Sequence, residues 1–199
     1  AIISPIIKAI RIFDTFPVCT TMNTSITLKN FFGTSEAELQ EIFADWKVEP
    51  YRVHQVFTWV YHYHCRDFNE MTNLSKSLRS QLQERFCFAL PKIKTRTHSK
   101  DGSIKYLLEL DDGAEVESVW MPSDSRKTLC LSTQVGCRLN CSFCLTASLG
   151  LKRNLTAGEI IGQHLAINAE LKEEDRITNV VFMGMGEPLD NFGPVVDAL

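Results

Sequence analysis

Three cysteines crowded into eight residues constrain this chain more than any other feature of its sequence. Cys137, Cys141 and Cys144 follow the spacing Cys-x3-Cys-x2-Cys. Thiolates are soft ligands that select iron–sulfur clusters, zinc or copper(I). A structural zinc site normally closes a tetrahedron with four ligands from two knuckles, and no second knuckle follows here. A cubane held by three cysteines keeps one iron open. The motif therefore predicts a cluster that can bind a substrate or cofactor.

The alternative for this motif is a zinc ion with Cys130 as its fourth ligand. Cys130 lies seven residues before Cys137, within a predicted strand. A buried cysteine in a strand is usually just a small apolar residue. Because the spacing departs from the usual zinc patterns, we favour the cluster.

Composition indicates a globular protein without a membrane span. The chain has 199 residues, 44% of them hydrophobic, which suits one large or two small domains. No apolar run reaches the ~18 residues that a transmembrane helix needs. Seven cysteines form an odd set with three of them clustered. This pattern favours free thiols in a reducing cytoplasm over a secreted disulfide scaffold.

The charge is unevenly distributed. The net charge is −3, but residues 76–105 carry eight basic and two acidic side chains, a local charge of +6. Such a stretch can follow a phosphate backbone. It can equally be a solvated helix face followed by an exposed hairpin, and the sequence does not choose between these interpretations.

The N-terminal half of the chain is predicted to be helical. Residues 1–34 are assigned to a poorly defined N-terminal extension, in which residues 1–21 lack the clear pattern of a signal peptide. Ser35 and Glu38 have the spacing of a capping box, and Pro50 is expected to end the helix that follows. Three apolar stripes at helical spacing predict a bundle. We assign residues 35–90 to a helical accessory domain. Its histidines His54, His62 and His64 are expected on the surface.

Strands dominate the rest of the chain. Residues 91–122 are predicted to form a β-meander linker with glycine-containing turns. A strand at 127–132, the cysteine loop, a helix opened by a capping box at Thr156, and a buried strand at 179–185 form a βαβ unit. His164 is expected to pack in the core, and a further helix begins near Asn191. Residues 123–199 are therefore the predicted start of an α/β domain with a parallel sheet.

Three separated segments together resemble a known enzyme family. They are Thr128–Cys137, Arg153–Gln163 and Met183–Leu189, with Phe143 before the last cysteine of the motif. They resemble the radical S-adenosylmethionine methyltransferases that modify C2 of an adenine in 23S rRNA and in tRNA. The resemblance runs from about Leu39 to Leu199. It implies an α/β fold in which a helical bundle and a β-meander precede the first βα units of a truncated, partial (β/α)6 barrel. It also implies that residues 35–90 bind RNA and that residues 123–199 begin the incomplete catalytic domain.

The resemblance also implies roles for individual residues. Cys137, Cys141 and Cys144 would hold a [4Fe–4S] cluster. Phe143, Gly186 and Glu187 would contact S-adenosylmethionine. Glu117 would accept a proton. Cys130 would form a disulfide with a methyl-carrying cysteine that has no counterpart here, because no cysteine follows Cys144.

Partners and alternatives follow from the same resemblance. It implies 23S rRNA and tRNA as partners, an electron donor such as flavodoxin, no membrane, and a cytoplasmic monomer. The chain is expected to be an incomplete N-terminal part with poor turnover. The related adenine-C8 rRNA methyltransferase and a non-catalytic iron–sulfur RNA-binding remnant remain the alternatives.

Overall fold

The computed structural model describes residues 28–199, so most of the predicted N-terminal extension lies outside the described residues. The helices are α1 (Glu36–Asp45), α2 (Tyr51–Phe57), α3 (Lys76–Arg85), α4 (Ala157–Asn168) and α5 (Phe192–Asp197). The strands are β1 (Lys29–Asn30), β2 (Phe86–Cys87), β3 (Lys92–His98), β4 (Ile104–Glu109), β5 (Glu115–Pro122), β6 (Lys127–Cys130), β7 (Gln134–Val135), β8 (Arg153–Asn154) and β9 (Asn179–Val181).

The helical domain surrounds an aromatic core. Phe31 is fully buried, and its ring contacts those of Phe57, Phe68, Phe86 and Phe88. The sequence analysis placed residue 31 in the N-terminal extension, but the structure places it in the core of the helical domain. It lies there because β1 pairs in parallel with β2, which brings the start of the described chain against the end of α3.

Local signals at α1 were partly correct. Ser35 caps the helix by accepting a hydrogen bond from the backbone N–H of Glu38. The Glu38 carboxylate does not reach back as predicted, because it pairs with Lys29. Pro50 does not end α1, which stops at Asp45. It is instead the N-cap of α2. His54, His62 and His64 are exposed, as predicted.

The C-terminal half is built on one five-stranded sheet with the order β3-β4-β5-β6-β9. The meander strands are antiparallel, and β6 pairs with β9 in parallel through the α4 crossover. The predicted βαβ unit is therefore confirmed. The meander is not a separate linker, however, because β5 pairs directly with β6.

Helix α4 lies between two cores. Ile160 and Ile167 pack with Leu129 beneath the sheet. Ala166 faces the other way and joins the core of the helical domain. His164 is half-buried, and burial followed by the charge of His64 lowers its pKa. The expectation that it packs in the core is therefore met only in part, because the side chain is half-buried.

The prediction of a buried strand at 179–185 was wrong in both burial and length. Strand β9 stops at Val181, and Val180 is exposed. Within residues 28–199 it is an edge strand with β6 as its neighbour, so much of its apolar surface faces outward. No helix in this part of the chain is long and apolar enough to cross a membrane.

Candidate cluster-binding site

The cysteine motif lies on a loop that a short hairpin closes. Strands β7 and β8 pair in antiparallel fashion on either side of it. The backbone N–H of Lys152 bonds to the Val135 carbonyl at 2.8 Å, and that of Cys137 bonds to the Gly150 carbonyl at 3.2 Å. Gly136 has φ +80°, and an added Cβ would lie 1.8 Å from that carbonyl oxygen. The ends of the loop are therefore fixed tightly, and only glycine fits at residue 136.

The three predicted ligands differ in exposure. The thiols are free, with Cys137 buried, Cys144 half-buried and Cys141 exposed. A hydrogen bond from the backbone N–H of Ala147 lowers the pKa of the Cys144 thiol. A lowered pKa favours the thiolate, which is the form that binds metals. Across residues 28–199, no three Cys, His, Asp or Glu side chains converge at metal-binding distances.

The donor set nevertheless fits an iron–sulfur cluster in its chemistry. Three free thiols share one loop with pinned ends, and two of them have access to solvent. Cys130, the fourth ligand of the zinc alternative, lies elsewhere. It is on β6, with its neighbours Val119 and Val181 on either side.

A second loop meets the first at the carboxyl ends of β6 and β9. Beyond Val181, backbone pairing continues irregularly, and the Thr133 N–H bonds to the Met185 carbonyl at 2.8 Å. Gly186 has φ +97°, and its added Cβ would lie 2.6 Å from the Cβ of Gln134. Ligands commonly bind at the carboxyl ends of parallel strands. The position suits a cofactor site.

The Glu187 carboxylate has a local structural partner. It accepts a hydrogen bond from the Leu189 backbone at 3.0 Å and so caps a short turn of 3-10 helix. Its own backbone N–H donates to Gln134 Oε1 at 2.9 Å. Backbone and side chain of Glu187 are therefore both held in place.

Gln134 connects the two loops and was missed in the sequence. It is fully buried, and its Nε2 donates to Asn154 Oδ1 and Asp190 Oδ2, each at 2.8 Å. Asp190 also forms a bidentate ion pair with Arg138, which lowers the pKa of its carboxyl group. The sequence held no signal for these contacts, because Asp190 lies 56 residues beyond Gln134.

The two predicted catalytic residues share a face of the sheet. Cys130 is opposite Val119, and Glu117 is two residues from Val119 on β5. Strand alternation therefore directs both side chains to the face opposite α4. The Glu117 carboxylate pairs with Lys105 at 2.8 Å. Burial raises the pKa of the Cys130 thiol, and a hydrogen bond from the Met183 backbone opposes this shift.

A buried polar network supports this arrangement from the α4 side. Gln163 is fully buried, and its Oε1 accepts from Ser118 Oγ at 2.8 Å and from the Ser132 N–H at 3.0 Å. Its Nε2 donates to the Ser132 carbonyl at 2.9 Å. The Ser132 hydroxyl donates to the Glu117 carbonyl at 2.6 Å and accepts from the Met185 N–H at 2.8 Å. The burial of Gln163 could have been predicted from the sequence, because it lies three residues after Ile160 and four before Ile167, on the apolar face of the helix.

Large apolar side chains surround the loops. Phe143, predicted to contact the cofactor, is 91% exposed. Met183 follows β9 and is 80% exposed. Further exposed apolar residues on the two loops are Leu139, Leu145, Leu149 and Leu189, and Phe192 at the start of α5 is also exposed.

The basic stretch is more neutral than its sequence indicates. Lys94 pairs with Glu109 and Glu115 at 2.8 and 2.7 Å, and Arg96 pairs with Glu170. These acidic partners lie outside residues 76–105, so the local charge of +6 overstates the field at this surface.

Comparison with known proteins finds similarity to RNA methyltransferases. Residues 29–88 match the family described as the ribosomal RNA large subunit methyltransferase N-terminal domain. The chain is 52% identical over 158 residues to the dual-specificity RNA methyltransferase RlmN of Paracoccus denitrificans, covering 74% of this chain and 40% of the relative. It is 48% identical over 161 residues to the protein of the same name in Desulfosudis oleivorans, covering 79% and 43%.

A solved structure is also similar. It is a radical SAM methyltransferase from Sphaerobacter thermophilus, with a TM-score of 0.74 and 39% identity over 85% of this chain and 50% of that one. The chain thus spans less than half the length of the two curated relatives. Residues 29–88 are thus similar to the ribosomal RNA large subunit methyltransferase N-terminal domain, and the chain is similar to part of the dual-specificity RNA methyltransferases.

Proposed function

We propose that this chain provides the cluster loop and the cofactor turn of a radical S-adenosylmethionine methyltransferase that modifies C2 of an adenine in 23S rRNA and tRNA. One observation carries the proposal. The loop with Cys137, Cys141 and Cys144 and the turn with Gly186 and Glu187 come together at the carboxyl ends of parallel β6 and β9. The similarity to RNA methyltransferases supports the same assignment.

In this proposal each loop binds a different part of the reaction centre. Cys137, Cys141 and Cys144 hold a [4Fe–4S] cluster, which when bound supplies the electron for reductive cleavage of S-adenosylmethionine. Gly186 lets the backbone approach the methionine end of that cofactor, and the Glu187 carboxylate offsets its ammonium charge. Phe143, on the cysteine loop, contacts the adenine.

The sheet face opposite α4 provides the acid–base and thiol groups. Glu117 accepts the proton that leaves the RNA adenine, with Lys105 pairing its carboxylate. Cys130 presents a buried thiol at the same face. Its role is to form a disulfide with the methyl-carrying cysteine and release the product. That second cysteine lies outside these 199 residues in the proposal, since none follows Cys144.

The remaining regions serve recognition. Residues 35–90, extended to include β1, form the accessory domain that contacts RNA, and the five-stranded sheet begins a partial (β/α)6 barrel. The protein acts as a monomer in the cytoplasm, where thiols stay reduced. An electron donor such as flavodoxin reduces the cluster.

Methylation of RNA with labelled S-adenosylmethionine tests the proposal. The assay compares the 199-residue chain with a version extended by the C-terminal part of the methyltransferase. Mass spectrometry should locate the label at C2 of adenine with the extended version alone. Label at C8 would support the alternative, the related adenine-C8 rRNA methyltransferase. Methylation by the short chain would contradict the role given to a cysteine outside it, and extended protein that binds RNA without methylating it would favour the non-catalytic module.

A further inference from the structure

Three side chains join the cysteine loop to the cofactor turn. Arg138 directly follows Cys137, and its Nε donates to Asp190 Oδ2 at 2.8 Å across 52 residues of sequence. Gln134 donates to the same oxygen at 2.8 Å. Gln134 also accepts from the Glu187 N–H. The two loops thus meet through one ion pair, one charge-assisted hydrogen bond and one neutral hydrogen bond, which all involve Asp190 or Gln134.

The placement of these contacts gives them a specific consequence. Arg138 is adjacent to a proposed ligand, and Asp190 is three residues beyond Glu187. We propose that Gln134, Arg138 and Asp190 form an interloop clamp, a set of positioning residues that fixes the cluster loop against the turn that holds S-adenosylmethionine. This inference rests on the proposed function, because it concerns where the two ligands lie relative to each other.

The clamp acts locally. The Arg138 side chain is 61% exposed and that of Asp190 is 21% exposed. Exposed ion pairs contribute little to global stability. Their bidentate geometry still restricts orientation, because guanidinium and carboxylate planes must align. Loss of the pair should therefore loosen both loops while the sheet and helical domain keep their stability.

Hydrogen exchange in the metal-free chain tests the clamp without using activity. Arg138→Met removes the donors and retains an apolar side chain of similar length. Exchange should rise about two- to fivefold in peptides from both residues 137–150 and residues 183–191, the range expected for an exposed ion pair. Arg138→Lys, which keeps the positive charge and a donor to Asp190, should lose less of the protection than Arg138→Met. The matched control is Arg96→Met, which breaks another bidentate pair, that with Glu170.

A second measurement follows iron loss. After anaerobic reconstitution, Arg138→Met should release iron to a chelator about two- to fivefold faster than the parent chain, and Arg138→Lys should release it at an intermediate rate. Failure of the parent chain to take up iron would overturn the proposed function. The hydrogen-exchange experiment would still test the clamp, because it uses the metal-free chain. The clamp is refuted when Arg138→Met alters exchange in its own loop alone, when it matches Arg96→Met in both loops, or when Arg138→Lys loses as much protection as Arg138→Met.

Discussion

Replacing Gln163 with Leu should destabilise the chain severely. The substitution keeps the side chain roughly the same size but removes both polar groups at a fully buried position. It leaves the Ser132 N–H, the Ser132 carbonyl and the Ser118 hydroxyl without their partners. Each buried, unpaired polar group costs about 1–3 kcal/mol. Since Ser118 can rotate toward another acceptor, we expect a total loss of about 3–5 kcal/mol, a large fraction of the ~5–15 kcal/mol typical of a domain.

Urea unfolding followed by circular dichroism measures this loss. Gln55→Leu is the matched control, because Gln55 lies partly exposed on α2 and accepts one bond from Arg52 at 2.7 Å. It should change the free energy of unfolding by less than about 0.5–1 kcal/mol. A loss below ~1 kcal/mol for Gln163→Leu, or equal losses in the two variants, would show that the buried network does not hold the strand ends.

Three further outcomes are expected. Gly186→Ala should abolish binding of S-adenosylmethionine in equilibrium dialysis, because its Cβ would lie 2.6 Å from Gln134, whereas Gly193→Ala has nothing within 4 Å and should bind normally. Equal binding would refute the close-approach argument. Replacing the basic residues Lys92, Lys94 and Arg96 of β3 with Glu should weaken RNA binding. The slope of log K against log salt concentration should fall by about 0.7–0.9 per lost phosphate contact. An unchanged slope would make them solvated surface. Finally, because the pKa of His164 is lowered in the folded chain, the unfolded chain binds more protons than the folded chain near pH ~6.5. Stability should therefore fall as pH drops from 7 to 5, and His164→Gln should reduce this fall in urea midpoints.

Patterns within one element predicted that element well. The capping signals at Ser35 and Thr156 and the stripe containing Ile160 and Ile167 all depend on residues within a few turns of one another. The structure confirms both N-caps and α4. The β-meander was also predicted, because turns with Gly102 and Gly113 separate its strands.

Features that depend on distant partners could not be predicted. Strands β7 and β8 have two residues each, too few to show a strand period. The burial of Phe31 depends on β1 pairing with β2, more than 50 residues away. Gln134 gains its role from contacts to Asn154 and Asp190. No pattern in the local sequence indicates such contacts between residues far apart in the chain.

Metal content after anaerobic reconstitution tests the central claim most directly. The account predicts about four irons per chain and the absorption of a [4Fe–4S] centre. Cys141→Ala should lose this iron, and Cys130→Ala should keep it, because Cys130 is a ligand only in the zinc alternative. Stoichiometric zinc in place of iron, after iron-replete anaerobic expression, would contradict the account, as would loss of the metal from Cys130→Ala.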